Sequence, residues 1–222
     1  MRPDPEQTLG EIASTVPAAT RVFLRHHLDF CCGGGQTLAA ACADAGLDPH
    51  VVAIELELEA AQAPSAPDAW AQQSADAVIE HIERRYHATL RRDVPPLIDA
   101  ARKVERVHRG KPAVPVGLEG ALADMWEELR LHMQKEEDVL FPLLRAGARG
   151  ERVAMPIRVM RDEHDAHGDR LAILRELTGD FVPPPHACAT WRALYDGLAR
   201  LEVELMEHIH LENNVLFPKV AS

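Results

Sequence analysis

The sequence predicts an all-α protein: a four-helix bundle preceded by a small helical N-terminal domain. Three observations predict it. Apolar residues recur at steps of three and four along four long stretches. Runs such as AQAPSAPDAW and Pro183–Pro185 separate those stretches. From about residue 73 onward no run alternates apolar with polar as a half-buried strand would. Four amphipathic helices of this length bury their faces best against one another.

In chain order, residues 1–60 form the small domain. Pro17 suits the start of a helix over AATRVFLRHH. The glycines of CCGGG break the chain, and Gly33–Gly35 predict a flexible loop. Thr37 caps TLAAACADAG, Gly46 ends it, and Asp48-Pro49 opens HVVAIELELEAAQ. Residues 61–72, rich in Ala, Pro and Ser, read as a linker to a bundle over 73–222. The first bundle helix is predicted from about Ser74 to Arg92, stopping before Pro95-Pro96, with LIDAARKVERVH continuing or abutting it. The second runs from after Gly117 to about Arg145, and the third from about Met155 to Leu177. The fourth starts after Pro183–Pro185 and reaches Phe217.

Composition excludes several roles. The net charge is −11, which argues against nucleic acid or an anionic membrane surface as partner. No stretch approaches the roughly 18 uninterrupted apolar residues of a membrane span. The N-terminus MRPDPEQTLGEIAS lacks a basic region followed by an apolar run, so no signal peptide is expected. Four cysteines (Cys31, Cys32, Cys42, Cys188) do not make a disulfide framework. Adjacent Cα atoms lie about 3.8 Å apart, so Cys31 and Cys32 are not expected to bridge each other. Reduced thiols make the cytoplasm the expected compartment. The 12 histidines outnumber all Phe, Tyr and Trp together, a first hint of metal.

The chemistry lies in a duplicated phrase. HMQKEEDVLFP from His132 and HIHLENNVLFP from His208 share His, a Glu four residues on, and Val-Leu-Phe-Pro, offset by 76 residues. Residues four apart share a helix face. His132 and Glu136 continue the stripe of Leu118, Leu122, Met125, Leu129, Met133 and Leu140. His208 and Glu212 continue that of Leu194, Leu198, Leu201, Leu205 and Leu216. A carboxylate on an interior stripe must be paired or metal-bound, and two such pairs in one bundle predict ions shared between them. Glu128 and Glu204 extend both copies by one turn, as a polar shoulder or as functional carboxylates. A dinuclear site needs further ligands. HIERRYH offers His81, beside Arg84 and Arg85 on a wet face, and His87, beside Tyr86 and Leu90. RDEHDAHGD offers His164 and His167, one turn apart, without a choice between them. His210, two residues from His208, points elsewhere and is expected at the surface. Imidazole with carboxylate and no thiolate fits iron, manganese or zinc; two bridging carboxylates favour two irons.

The paired H-x-x-x-E motifs with LFP resemble hemerythrin-like di-iron bundles. With DFCCGGG and the RYH at 85–87, nearly the whole chain resembles the Repair of Iron Centers family of iron–sulfur cluster repair proteins. The resemblance implies six ligands to two non-haem irons: His87, His132, Glu136, His164, His208 and Glu212, the glutamates bridging with an oxo or hydroxo group. It implies that Glu128 and Glu163 line an access route, and that Cys31 and Cys32 have a redox, nitric-oxide or iron-handling role. Family members often carry a histidine where this chain has Leu90, so a proton-relay or iron-release role there is not expected here. The implied function is repair or protection of iron–sulfur clusters under nitrosative or oxidative stress. Two chemistries would serve, nitric oxide reduction or iron donation; a hemerythrin-like oxygen or iron sensor without turnover is the rival. Expected partners are damaged iron–sulfur proteins, nitric oxide or oxygen, and a redox partner, with the chain a monomer or homodimer.

Overall fold

The computed structural model describes residues 2–16, 18–62 and 70–221. No strand occurs among them, and no described helix is long and apolar enough to cross a membrane. Most of the linker predicted at 61–72, and Pro17, lie outside the described residues.

Four short helices come first: α1 (Leu9–Thr15), α2 (Ala19–Arg25), α3 (Leu38–Ala45) and α4 (Pro49–Gln62). A capping box starts α1: the Thr8 hydroxyl accepts from the Glu11 N–H at 3.2 Å, and the Glu11 carboxylate accepts from the Thr8 N–H at 3.1 Å. Thr37 caps α3 as the sequence predicts, and Gly46, at φ +68°, ends it.

Four long helical segments follow. Ala75–His81, a π-helical turn Ile82–His87 and Ala88–Val107 make up α5. Leu118–Lys135, a π turn Glu136–Leu140 and Phe141–Arg145 make up α6. Glu151–Thr178 is α7. Ala189–His210, a π turn Leu211–Leu216 and Phe217–Val220 make up α8. Of the two alternatives the sequence left open, continuation holds: α5 does not end at Arg92 but runs through both prolines to Val107. Each proline withholds one N–H from a carbonyl four residues back. Those carbonyls belong to Arg91 and Arg92, both exposed, so water can satisfy them.

The chain divides into two compact units. The first comprises Met1–Glu80, Leu144–Met155 and Met206–Ser222. Its core includes Leu9, Ile12, Val22, Phe23, Phe30, Leu38 and Leu56, with Phe217 and Leu216 from the end of α8. The second comprises His81–Leu143 and Pro156–Leu205. Its core includes Leu122, Met125, Leu129, Met133, Leu174, Trp191, Leu194 and Leu198. Every residue of the two predicted stripes is buried, His132, Glu136, His208 and Glu212 among them.

Candidate metal centre

Within the second unit, α5, α6 and α7 bring His87, His132, Glu136 and His164 to complete or nearly complete burial. Glu136 is the pivot. Its Oε2 lies 3.3 Å from His87 Nε2, and its Oε1 lies 3.5 Å from His132 Nε2. His164 Nε2 lies 3.2 Å from His132 Nε2. The far nitrogen of each of the first two rings is occupied. His87 Nδ1 is 2.7 Å from Glu137 Oε1, and His132 Nδ1 is 2.9 Å from Glu163 Oε2. An imidazole that donates Nδ1–H to a carboxylate presents a lone pair at Nε2. With both rings neutral, the two Nε2 lone pairs face carboxylate oxygens of Glu136, and neither of those oxygens accepts a hydrogen bond. Buried acceptors facing acceptors repel one another until a cation lies among them. The residues present fit a metal, and one carboxylate turned toward two imidazoles fits a bridge.

Behind the rings the arrangement repeats. Glu137 also takes both Arg91 Nη groups, at 2.8 and 2.9 Å, and Glu163 also takes Lys135 Nζ. The hydrogen bond from His87, then Arg91, holds the Glu137 carboxyl down at about 2. The bond from His132, then Lys135, does the same for Glu163, also about 2. Both carboxylates are thus charged across the physiological range and fix the ring orientation. Glu137→Gln or Glu163→Gln is expected to weaken metal affinity about 10–100-fold, measured by chelator competition. An unchanged affinity in both variants would remove this orienting role.

The structure separates the histidines that spacing left open. His81 is only half-buried and sits edge-on to Tyr86, ring centroids 5.5 Å apart. His87 faces Glu136. His164 and His167 are both buried; His164 presents Nε2 to His132 Nε2, whereas His167 stands perpendicular to the His132 ring at 5.0 Å. Glu163 contacts His132. Glu128 forms a bidentate pair with Arg170 at 3.0 and 2.5 Å. Glu204, its counterpart in the second copy, pairs with Arg85. Sequence reasoning missed Glu137, since i and i+1 do not share a helix face. It also missed the π turns, which fall where His87, Glu136 and Glu212 stand. Such turns favour functional sites because they re-aim side chains.

In the first unit, His208 and Glu212 are fully buried, with His208 Nε2 3.0 Å from Glu212 Oε1. Beyond the glutamate the two copies diverge. Where the first has Glu137 and Asp138, the second has Asn213 and Asn214, and both asparagines serve the cysteine loop. Asn213 Nδ2 donates to the Cys31 carbonyl at 3.2 Å; Asn214 Nδ2 donates to those of Phe30 and Cys31 at 3.1 and 3.2 Å. His210 is a correction: it is buried rather than superficial. Its ring packs on Phe30 at 5.7 Å and meets Ser14 Oγ at 3.3 Å. Burial holds its pKa down at about 4.

The CCGGG loop is tied rather than loose. Asp29 Oδ1 accepts from the Cys31 and Cys32 N–H groups, and Oδ2 from that of Gly33 at 2.9 Å. A Cβ on Gly33 would lie 2.8 Å from the Asp29 carbonyl oxygen. Close approach explains this glycine. The two sulfurs are 3.9 Å apart and unbridged, as expected from adjacency. Cys31 is buried and donates to Asp29 Oδ1 at 3.2 Å; hydrogen bonding with Cys32, then burial, pushes its thiol well up.

Both parts of the chain are similar to known proteins. Residues 78–220 match the Hemerythrin HHE cation binding domain, and residues 5–62 match ScdA_N, a domain of unknown function. Iron–sulfur cluster repair protein YtfE of Cronobacter sakazakii is 49% identical over 215 residues, 96% of each chain. Those of Yersinia pseudotuberculosis (47%) and Escherichia coli O157:H7 (46%) match over 214 residues, again 96% of each chain. The chain belongs to the YtfE family of hemerythrin-like proteins. The cation-binding domain of this family spans every histidine and glutamate of the candidate centre. Its N-terminal match spans the Cys31–Cys32 loop.

Proposed function

We propose that this chain is a di-iron protein that repairs or protects iron–sulfur clusters damaged by nitrosative or oxidative stress. His87, His132, Glu136, His164, His208 and Glu212 would hold two irons, with Glu136 and Glu212 bridging. The observation that carries the reading is Glu136: buried, without a hydrogen bond, one oxygen toward each of two imidazoles. The duplicated motif puts the same His–Glu pair on α8. The division into a cysteine-bearing domain at 1–60 and a metal-bearing bundle at 73–222 belongs to the same reading.

When bound, two irons supply an open position and electrons for a small ligand such as nitric oxide, or iron itself for a damaged cluster. The protein's own part is to aim its imidazole rings, to keep Glu137 and Glu163 charged behind them, and to keep Glu136 buried. Cys31 and Cys32 would serve as redox or iron-handling thiols, and Glu128 and Glu163 as acids on the access route.

Elemental analysis and Mössbauer spectroscopy of anaerobically purified protein test the centre. A coupled pair of irons supports it; stoichiometric zinc, or no metal, rejects it. His208→Ala is expected to lower iron content well below that of His210→Ala, because His210 faces Phe30. Equal loss would show that the inner face is misassigned. Reactivation of a nitric-oxide-damaged iron–sulfur enzyme by the loaded protein tests the repair role. Nitric oxide consumption without reactivation would favour turnover alone.

A further inference from the structure

A second thiol–imidazole arrangement lies in the second unit, built from residues the centre does not use. Cys188 is exposed and immediately precedes α8; its carbonyl accepts from the Arg192 N–H at 3.0 Å, the first turn of a 22-residue helix. Its Sγ lies 3.3 Å from His108 Nε2. His108 closes the end of α5, is 6% exposed, and packs against Trp191 with the rings tilted and centroids 5.0 Å apart. Its Nδ1 is buried with no hydrogen-bond partner, so the ring's one polar contact is the sulfur. Arg192 ties the approach, donating Nε to the Ala187 carbonyl at 3.1 Å and Nη2 to that of Pro185 at 2.9 Å. The sulfur is thus held against the imidazole on one side and open to solvent on the other.

We propose that Cys188 is a modification site, reacting with small disulfides with His108 as the proton acceptor. Nucleophile and base lie within reach of one another, as thiol activation requires. In the step, Cys188 Sγ attacks one sulfur of a glutathione disulfide. A new S–S bond forms, the old one breaks, and one glutathione leaves as the thiol. Cys188 is oxidised and the departing half reduced. The Cys188 proton passes to His108 Nε2 and from there to the leaving sulfur. The other thiols are less suited: Cys31 and Cys42 are buried, and Cys32 is half-buried beside Cys31.

The test treats the full, iron-loaded chain anaerobically with glutathione disulfide near neutral pH and maps adducts by mass spectrometry. The first adduct is expected at Cys188, forming about tenfold or more faster than at Cys188 of the same chain unfolded in urea. His108→Gln should bring the folded rate down to the unfolded one. A first adduct at Cys31 or Cys32, or equal folded and unfolded rates, overturns the proposal. The native comparison decides even if the variant does not fold.

Discussion

Replacing Glu136 with leucine is expected to strip the protein of iron while making the metal-free protein more stable. The two effects have opposite signs because the carboxylate has opposite roles in the two states. Without a cation, both oxygens are buried, accept no hydrogen bond, and face imidazole nitrogens at 3.3 and 3.5 Å. Exchanging such a buried charge for an apolar side chain of similar volume typically gains about 1–4 kcal/mol. In the proposed centre the same oxygens would be ligands, and metal binding to the folded state alone adds its own stabilisation. If Glu136 is a ligand as proposed, its loss should cost more than the 10–100-fold typical of the residues behind the ligands. Urea unfolding with and without chelator, beside elemental analysis, reads both effects. A variant that keeps its iron, or whose metal-free form unfolds at lower urea than the parent, would refute the ligand role proposed for Glu136.

Gly34→Ala is expected to destabilise the first unit by about 1–3 kcal/mol. Its Cβ would lie 2.6 Å from Asn214 Oδ1 and 2.7 Å from the Phe30 carbonyl oxygen. Asn214 cannot yield cheaply, since its amide holds the Phe30 and Cys31 carbonyls and lies 3.1 Å from His210 Nδ1. Gly35→Ala is the control: nothing lies within 4 Å of its Cβ, so the effect should stay within about 0.5 kcal/mol. The Gly34 variant should also expose Cys31 to alkylation, since the bonds to its carbonyl loosen. Equal stability of the two variants would show that the loop does not need this approach.

These two residues divide what was legible from what was not. Glu136 could be found from sequence because its signal is local. A carboxylate four residues from a histidine, on a stripe of leucines and methionines, and repeated 76 residues later, needs only helical periodicity. Gly34 was legible only as a break in the chain. Its reason is an asparagine 180 positions away, and no spacing rule reaches that far.

The sequence by itself determined the all-α class, the long helices, the buried stripes and the His–Glu pairs, since all follow from contacts within a turn or two of one helix. Tertiary structure decided the rest. It turned His87 rather than His81 toward Glu136, set Glu137 and Glu163 behind the rings, and buried His210 against Phe30. It carried α5 through two prolines and placed π turns at His87, Glu136 and Glu212. Each of these depends on which side chain from another helix or loop arrives at a given face. That is settled by packing between segments far apart in the chain, which local periodicity does not encode.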